Sequence, residues 1–316
     1  MAHSCRIPLV AIVGPTAVGK TALGIALAEA FGGEIVSADS RQFYRQMTIG
    51  TAKPTPDELA RARHHLIDIA DPDETVGLAQ FLDLAHAAIR DIDARGCLPF
   101  VVGGTGQYVR ALLEGWQVPE VPPDPALRDA LTRQTESDPD GLWARLLELD
   151  PEVAGFIDPR NLRRVVRALE VTLVTGKPFS SLRRRVPPPY RTLRLGLTLE
   201  RTALYARADA RVDTMIAAGL AEELTRLLAA GYDWSLPAMS ALGYAQWQPY
   251  FAGEATLPAV VERIKLDTHA YIRRQYAWFR PGRGDVIWYD ASDPDLIARA
   301  SQTVATFLAS PGPARS

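Results

Sequence analysis

Only two cysteines, Cys5 and Cys97, occur in 316 residues. That scarcity leaves neither a disulfide framework nor a zinc spacing, and it fits a reducing compartment. Histidine is sparse as well, with five in all. His64 and His65 are adjacent, so they would not face one metal together on a helix or a strand; ordinary loop or core histidines are the expectation. No apolar run approaches the roughly 20 residues of a membrane span, and Met1 to Arg6 is too short for a signal peptide. A cytoplasmic protein with no membrane partner is therefore expected. Strong charge of one sign is also missing. A net charge of −2 argues against a uniformly basic nucleic-acid coat, although the arginines cluster locally. No internal repeat occurs.

What is present is the composition of a globular protein, 47 % hydrophobic and 23 % charged, long enough for two domains or for one domain with an insertion. The informative stretch is Gly14-Pro15-Thr16-Ala17-Val18-Gly19-Lys20-Thr21, which fits the phosphate-loop pattern G-x-x-x-x-G-K-[ST] at every fixed position. It follows the apolar run Ile7 to Val13 and precedes Ala22 to Phe31, which has helical spacing. Strand, glycine loop and helix are the context this motif requires. The glycines let backbone amides close around phosphate oxygens, the helix start adds a positive dipole end, and Lys20 reaches two phosphates. Thr21 can offer its hydroxyl to a magnesium ion. The motif does not say which phosphate ester binds, or whether a phosphoryl group moves.

Further along, Glu34 to Ser37 reads as a second strand running into Ala38-Asp39-Ser40-Arg41-Gln42. A carboxylate at the carboxyl end of a parallel strand lies where open α/β sheets bind ligands. Asp39 is thus a candidate acid or base, or else a cap or a water-mediated magnesium contact. His64 to Ile69 reads as a short strand and Leu78 to Ile92 as a helix. The buried-strand run Leu98 to Val102 ends in Gly103-Gly104-Thr105-Gly106, opposite the phosphate loop. There backbone can approach a ligand, and Thr105 can donate to a phosphate or accept from a base edge.

Proline clusters at 118–125 and 186–189 mark changes of composition. Between them, 126–133, 141–149 and 161–174 have helical spacing, so the fold expected is α/β: a P-loop NTPase-like parallel sheet flanked by helices (1–117 and 191–316) with a helical insertion domain (118–190). Arg160, Arg163, Arg164 and Arg167 recur at three and four residues, which puts them on one helical face, a one-sign stripe without interleaved acids. Such a stripe is either a solvated face or a phosphate-backbone contact. Thr192 to Leu199 resumes the sheet, and 204–218, 220–230 and 256–279 read as helices. On the last of these, Arg263, Lys265, Arg273, Arg274 and Gln275 take the polar side. Arg280 and Arg283 follow, and Tyr271, Tyr276 and Trp278 interleave with the basic residues. That mixture suits looped RNA, and core packing is the alternative for each ring. Val286 to Tyr289 reads as a last strand and 311–316 as a frayed tail.

Taken in order, these segments resemble the bacterial tRNA dimethylallyltransferases, also called tRNA isopentenyltransferases. The resemblance rests on 14–21, on Asp39-Ser40-Arg41-Gln42 with Tyr44, on Ile49-Gly50-Thr51-Ala52-Lys53-Pro54, and on His64-His65-Leu66-Ile67-Asp68. It continues through Gly103 to Gly106 with Tyr108, Arg167-Ala168-Leu169-Glu170, Gly243-Tyr244, and Arg274-Gln275 with Trp278-Phe279-Arg280. It implies transfer of a dimethylallyl group from dimethylallyl diphosphate to the N6 amine of the adenosine 3′ of the anticodon, in tRNAs reading codons that start with U. The phosphate loop, Gly14 to Thr21, would then hold the prenyl diphosphate with Mg2+ rather than ATP, and Asp39 would be the base. Thr105 would contact the reacting groups, and Arg211, or less favourably Arg207, would bind the diphosphate. The tRNA anticodon stem-loop would meet Asp39 to Gln42, Thr105, Arg128, Arg163, Arg164, Arg167, Arg274 and Gln275, the chain acting as a monomer. Ala245-Gln246, His269-Ala270 and Ile272 depart from the family's usual residues. No C-terminal zinc finger is present, which resembles the bacterial form. Readings outside this resemblance are a small-molecule P-loop kinase, a cytokinin-type prenyltransferase acting on free adenine nucleotides, and a non-catalytic nucleotide-gated RNA-binding module.

Overall fold

The computed structural model describes residues 6–118, 121–122, 124–281 and 285–310. Cys5, Arg283 and the tail 311–316 lie outside the described residues, as do Pro119, Glu120 and Pro123 of the first proline cluster. The chain divides into two compact units, 1–113 with 188–316 and the insertion 114–187.

The larger unit is built on six parallel strands in the order β3-β2-β4-β1-β7-β8: β1 (Ile7–Val13), β2 (Gly33–Ser37), β3 (His64–His65), β4 (Leu98–Val102), β7 (Tyr190–Thr198) and β8 (Val286–Asp290). Leu9 to Val13 and the whole of β4 are buried, because a parallel sheet is covered on both faces and its central strands need apolar side chains on each. Helices α1 (Lys20–Phe31), α2 (Pro56–Arg61), α3 (Leu78–Ala94) and α4 (Gly106–Glu114) alternate with the first four strands. The carboxyl half supplies α9 (Arg201–Ala217), α10 (Leu220–Ala229), α11 (Gln248–Phe251), α12 (Leu257–Trp278) and α13 (Leu296–Ala309). One apolar core joins α1, α9, α12 and α13 to β1, β4 and β7. On α3, Phe81 stacks with Phe43 and Tyr108 at centroid distances of 6.0 and 4.7 Å. Among the described residues no helix is long and apolar enough to cross a membrane.

The strand expected over His64 to Ile69 stops at His65. Leu66 and Asp68 take φ of 62° and 55°, a left-handed backbone that cannot continue a ladder.

In the insertion, short strands β5 (Trp116–Gln117) and β6 (Arg184–Arg185) pair antiparallel. Between them lie α5 (Pro125–Ser137), α6 (Pro139–Leu149), α7 (Leu162–Thr175) and α8 (Phe179–Leu182). Side chains of Asp124, Asp138 and Asn161 cap the first three, each accepting from an amide left free in the first turn. Leu131, Leu142, Leu146, Val165 and Leu169 form a separate core.

The arginine stripe differs from its sequence reading. Arg160 precedes α7 and pairs with Asp158 at 2.8 Å. Arg167 and Arg128 both bond Glu170 Oε2, at 2.8 and 2.7 Å, while the Asp124 amide donates to Oε1 at 2.9 Å. Acids therefore do neutralise part of the stripe. They arrive from the next turn and from the preceding loop, where helical spacing does not show them. Glu170 is 0 % exposed. Burial works to raise its carboxyl, but the bonds from Arg128 and Arg167 outweigh that and hold it below the ordinary carboxylate range.

A depressed carboxyl contributes stability that is present above its unfolded pKa and is lost as pH falls through the folded value. The stability gap between the wild-type chain and Glu170→Gln should accordingly close as urea midpoints are compared from about pH 6 downward. At neutral pH, Glu170→Ala should destabilise by about 1–3 kcal/mol, short of a wholly buried pair because both guanidinium groups reach solvent.

Candidate active site

Three loops leave the carboxyl ends of β1, β2 and β4, and backbone bonds hold them level. The Ala38 amide donates to Val102 O at 2.8 Å and the Gly103 amide to Ile12 O at 3.2 Å. The phosphate loop after β1 turns at Gly14, whose φ of 147° and 2.5 Å approach of a would-be Cβ to Leu197 O together admit only glycine. Ala17 is held at φ 61°, the kind of local backbone strain that accompanies ligand sites. Lys20 opens α1, and its Nζ donates to Pro15 O at 2.6 Å. Thr21 follows in the first turn. Burial brings the Lys20 ammonium down to about 8, with Asp39 opposing the shift and Arg211 adding to it.

A cavity of about 510 Å³ opens beside this loop. Thr16, Asp39, Ser40, Arg41 and Arg211 contribute polar groups to its lining, with Ala17 of the phosphate loop beside them. Val212, Met215, Leu242 and Ile264 supply apolar surface. Asp39 sits just past β2 and accepts from the Arg41 amide at 3.0 Å, which fixes its carboxylate in a tight turn. The glycine loop leaves β4, which lies directly between β2 and β1. Thr105 Oγ1 accepts from the Ser40 amide at 3.3 Å. Tyr271 also lines the cavity. Its phenol is pushed up to about 12, chiefly by burial and then by Asp39, with Thr105 acting in the opposite direction.

Arg211 and Arg207 separate cleanly. Arg211 belongs to the cavity wall, and burial lowers its pKa against the pull of Asp39. Arg207 is exposed and acts on Asp290. Arg41 donates to Pro237 O at 2.9 Å, and Gln42 spans Ser37 and Ala52 with its amide. Arg274 is exposed over the Tyr271 ring, at 5.7 Å. Gln275, read from sequence as part of the polar side of α12, instead faces inward at 6 % exposure. Two aromatics of that helix also turn inward. The Tyr276 ring packs on the core with its hydroxyl 3.0 Å from Thr198 Oγ1, and Trp278 lies over Gly106 with Arg110 6.0 Å from its ring. In the insertion, Arg163 and Arg164 are exposed, whereas Arg128 and Arg167 are bound to Glu170.

A sequence model of the IPP transferase family matches residues 42–282, and one described as isopentenyl transferase matches 7–74. A tRNA dimethylallyltransferase of Roseiflexus sp. is 58 % identical over 303 residues, covering 96 % of this chain and 99 % of that one. The Chloroflexus aurantiacus protein of the same name is 60 % identical over 281 residues, covering 89 % and 95 %. This chain belongs to the tRNA dimethylallyltransferase family. A solved family structure, the tRNA isopentenylpyrophosphate transferase of Bacillus halodurans, is 40 % identical with a TM-score of 0.71, covering 95 % of this chain and 96 % of that one. A eukaryotic dimethylallyltransferase described as acting on tRNA is 29 % identical with a TM-score of 0.82, covering 98 % and 81 %. The P-loop architecture is thus that of the family, and the chain is a prenyltransferase.

At two of the positions expected to depart from the family pattern, Gln246 and His269, the structure shows local partners. Gln246 accepts from the Gly243 amide at 2.9 Å and donates to Asp267 at 2.9 Å. His269 stacks on Tyr205 at 4.0 Å and pairs with Asp209 at 2.8 Å.

Glu223 did not stand out in the sequence. It is 3 % exposed on α10, accepting from the amides of Thr48 and Ile49 at 2.9 and 2.8 Å and from the Tyr244 hydroxyl at 2.6 Å. The pair thereby holds the family's Ile49-Gly50-Thr51 loop, part of the cavity wall. One signal was available: Glu223 interrupts the apolar series Leu220, Leu224, Leu227, where an acid needs a buried partner.

A lysine with a pKa near 8 binds anions as the ammonium, so affinity must fall as pH rises through that value. Titration calorimetry with inorganic pyrophosphate should show wild-type binding weakening up to about tenfold, relative to Lys20→Arg, between pH 7 and 9, because arginine keeps its charge.

Proposed function

We propose that this enzyme transfers a dimethylallyl group from dimethylallyl diphosphate to N6 of adenosine 37, 3′ of the anticodon, in tRNAs reading codons that start with U. The observation that carries this reading is one cavity lined by phosphate-loop residues, an arginine, a carboxylate and several apolar side chains. A prenyl diphosphate has the matching two-part character. A nucleoside triphosphate would leave the apolar wall of Val212, Met215 and Leu242 without a purpose.

In the transfer, the allylic C1–O bond breaks as the adenine N6 lone pair forms the C–N bond. Lys20, the loop amides and Arg211 stabilise the charge growing on the departing diphosphate. Adenine N6 is a weak nucleophile because its lone pair is delocalised, and Asp39 accepts the proton it sheds. Thr105, held by the Ser40 amide, orients the reacting groups. A hydroxyl in the first turn of the phosphate-loop helix suits Mg2+, so Thr21 would hold the ion. When bound it offsets charge on the diphosphate. The anticodon loop, in which a base leaves its stack more cheaply than in a duplex, would present its phosphates to Arg163 and Arg164 of the insertion, with Arg128 and Arg167 ordered by Glu170. Residues 39–42 and Arg274, at the cavity, would meet the loop near the target base. The compartment implied is the cytoplasm.

Supplied with tRNA and dimethylallyl diphosphate, the protein should yield prenylated adenosine by nucleoside mass spectrometry without ATP, and Lys20→Ala should abolish it. Phosphate release or phosphoryl transfer from ATP with no prenylated base would favour the kinase reading instead. Asp39→Asn should lower the single-turnover rate by about 10²–10⁴ with tRNA affinity little changed; an undiminished rate would remove Asp39 as the base.

Filter binding over a range of salt should show Arg163→Ala with Arg164→Ala weakening tRNA affinity and flattening its salt slope by about one to two charges. Prenyl diphosphate affinity should be untouched. An unaltered slope would make these arginines an ordinary solvated face.

A further inference from the structure

We propose that Gln275 is a positioning residue that fixes the distance between the leaving-group half and the base half of the reaction site. Its side-chain amide lies between the two loops. Oε1 accepts from the Thr16 amide of the phosphate loop at 2.8 Å, and Nε2 donates to Gly104 O of the glycine loop at 3.0 Å. The orientation is determined by its partners, because a backbone N–H only donates and a carbonyl only accepts. The side chain is 6 % exposed and the bond to Gly104 O is buried, so water does not readily substitute for it.

The glycine loop is shaped for this contact. A Cβ on Gly104 would come within 2.4 Å of Gln275 Nε2, so the glycine is the space the amide occupies. The next residue, Thr105, accepts from the Ser40 amide at 3.3 Å. Through Gln275 a single helix therefore grips both the loop that carries Lys20 and the loop that carries Thr105.

The inference rests on the proposed reaction, in which the phosphate loop holds the departing diphosphate while Asp39 and Thr105 attend the amine. Attack then depends on the separation of two loops that leave different strands. An amide bridging them is worth most in the chemical step, where a misplacement of about 1 Å costs on the order of a hundredfold. Substrate affinities depend on each loop by itself and should be nearly unaffected.

The test uses the full chain with tRNA and dimethylallyl diphosphate, comparing single-turnover rates at saturation with equilibrium affinities for each substrate. Gln275→Met keeps the side chain's length and removes both bonds. Gln275→Asn keeps the amide but is one methylene too short to span the gap. Each should slow the single-turnover rate about 10–100-fold, with both affinities within about threefold of wild type. Gly104→Ala, which displaces the amide from the opposite side, should reproduce the defect. Because both changes break one bridge, the double variant Gly104→Ala with Gln275→Met should be no slower than the slower single variant.

A normal rate in Gln275→Met overturns the proposal. So does a loss confined to substrate affinity, which would make Gln275 a substrate contact, and so does an additive loss in the double variant. If circular dichroism shows Gln275→Met unfolded, Gly104→Ala and Gln275→Asn decide the matter by the same criteria. Inactivity of the unaltered chain would overturn the proposed reaction itself, whereas an active wild type with an unaffected Gln275→Met would overturn the bridge alone.

Discussion

Everything at the site depends on the parallel pairing of β4 with β2 on one side and β1 on the other. In that register Val102 is level with both Ser37 and Ile12, so three loops emerge at one height with few freely rotating residues between the last ladder bond and the first functional side chain. Backbone hydrogen bonds in a buried sheet are the stiffest positioning element a soluble fold has. Short polar loops can hold Lys20, Asp39 and Thr105 in register because the strands beneath them cannot slide without breaking ladder bonds and the packing of Leu9 to Val13 and Phe100 to Val102 on both faces.

Above that base, placement passes to a few polar side chains buried on the apolar faces of helices. Glu223 on α10 grips the 48–50 loop, Gln275 on α12 spans two loops, and Glu170 on α7 collects two arginines and an amide. Each is desolvated, and each is compensated by several well-formed bonds, without which burial would be unfavourable. Such residues contribute less to net stability than to the uniqueness of the arrangement around them.

These placements mark the limit of what the sequence made legible. The strands and long helices were readable within a few residues because β1, β4, α3 and α12 have strong periodicity and clear punctuation. Part of the cavity lining was legible too, since motif spacing and a strand end pointed to Thr16, Ala17 and Asp39. Gln275 was read as solvent-facing because α12 carries Arg273 and Arg274 just before it, and helical neighbours in sequence lie on different faces. The arginine stripe was read as free of acids because the partner of Arg128 and Arg167 lies one turn on, in a residue whose burial depends on tertiary packing. Helix α13 passed unnoticed: only Ala300 and Val304 are buried in it, too narrow a stripe for periodicity to register.

The antiparallel pair β5 and β6 bears on how such a chain folds. Ile7 on β1 must find Tyr190 on β7, a pairing of very long range, and the entropy of closing so long a loop opposes it. The insertion occupies much of that interval, and its own ends meet where the Val186 amide donates to Gly115 O at 2.9 Å. Once the insertion has formed, its two ends are a hydrogen bond apart, and the segment still to be closed is shorter by the length of the insertion. Formation of the helical insertion thereby lowers the search cost for the central strands, and a lesion at Glu170 would slow β7 docking without touching a single residue of the sheet.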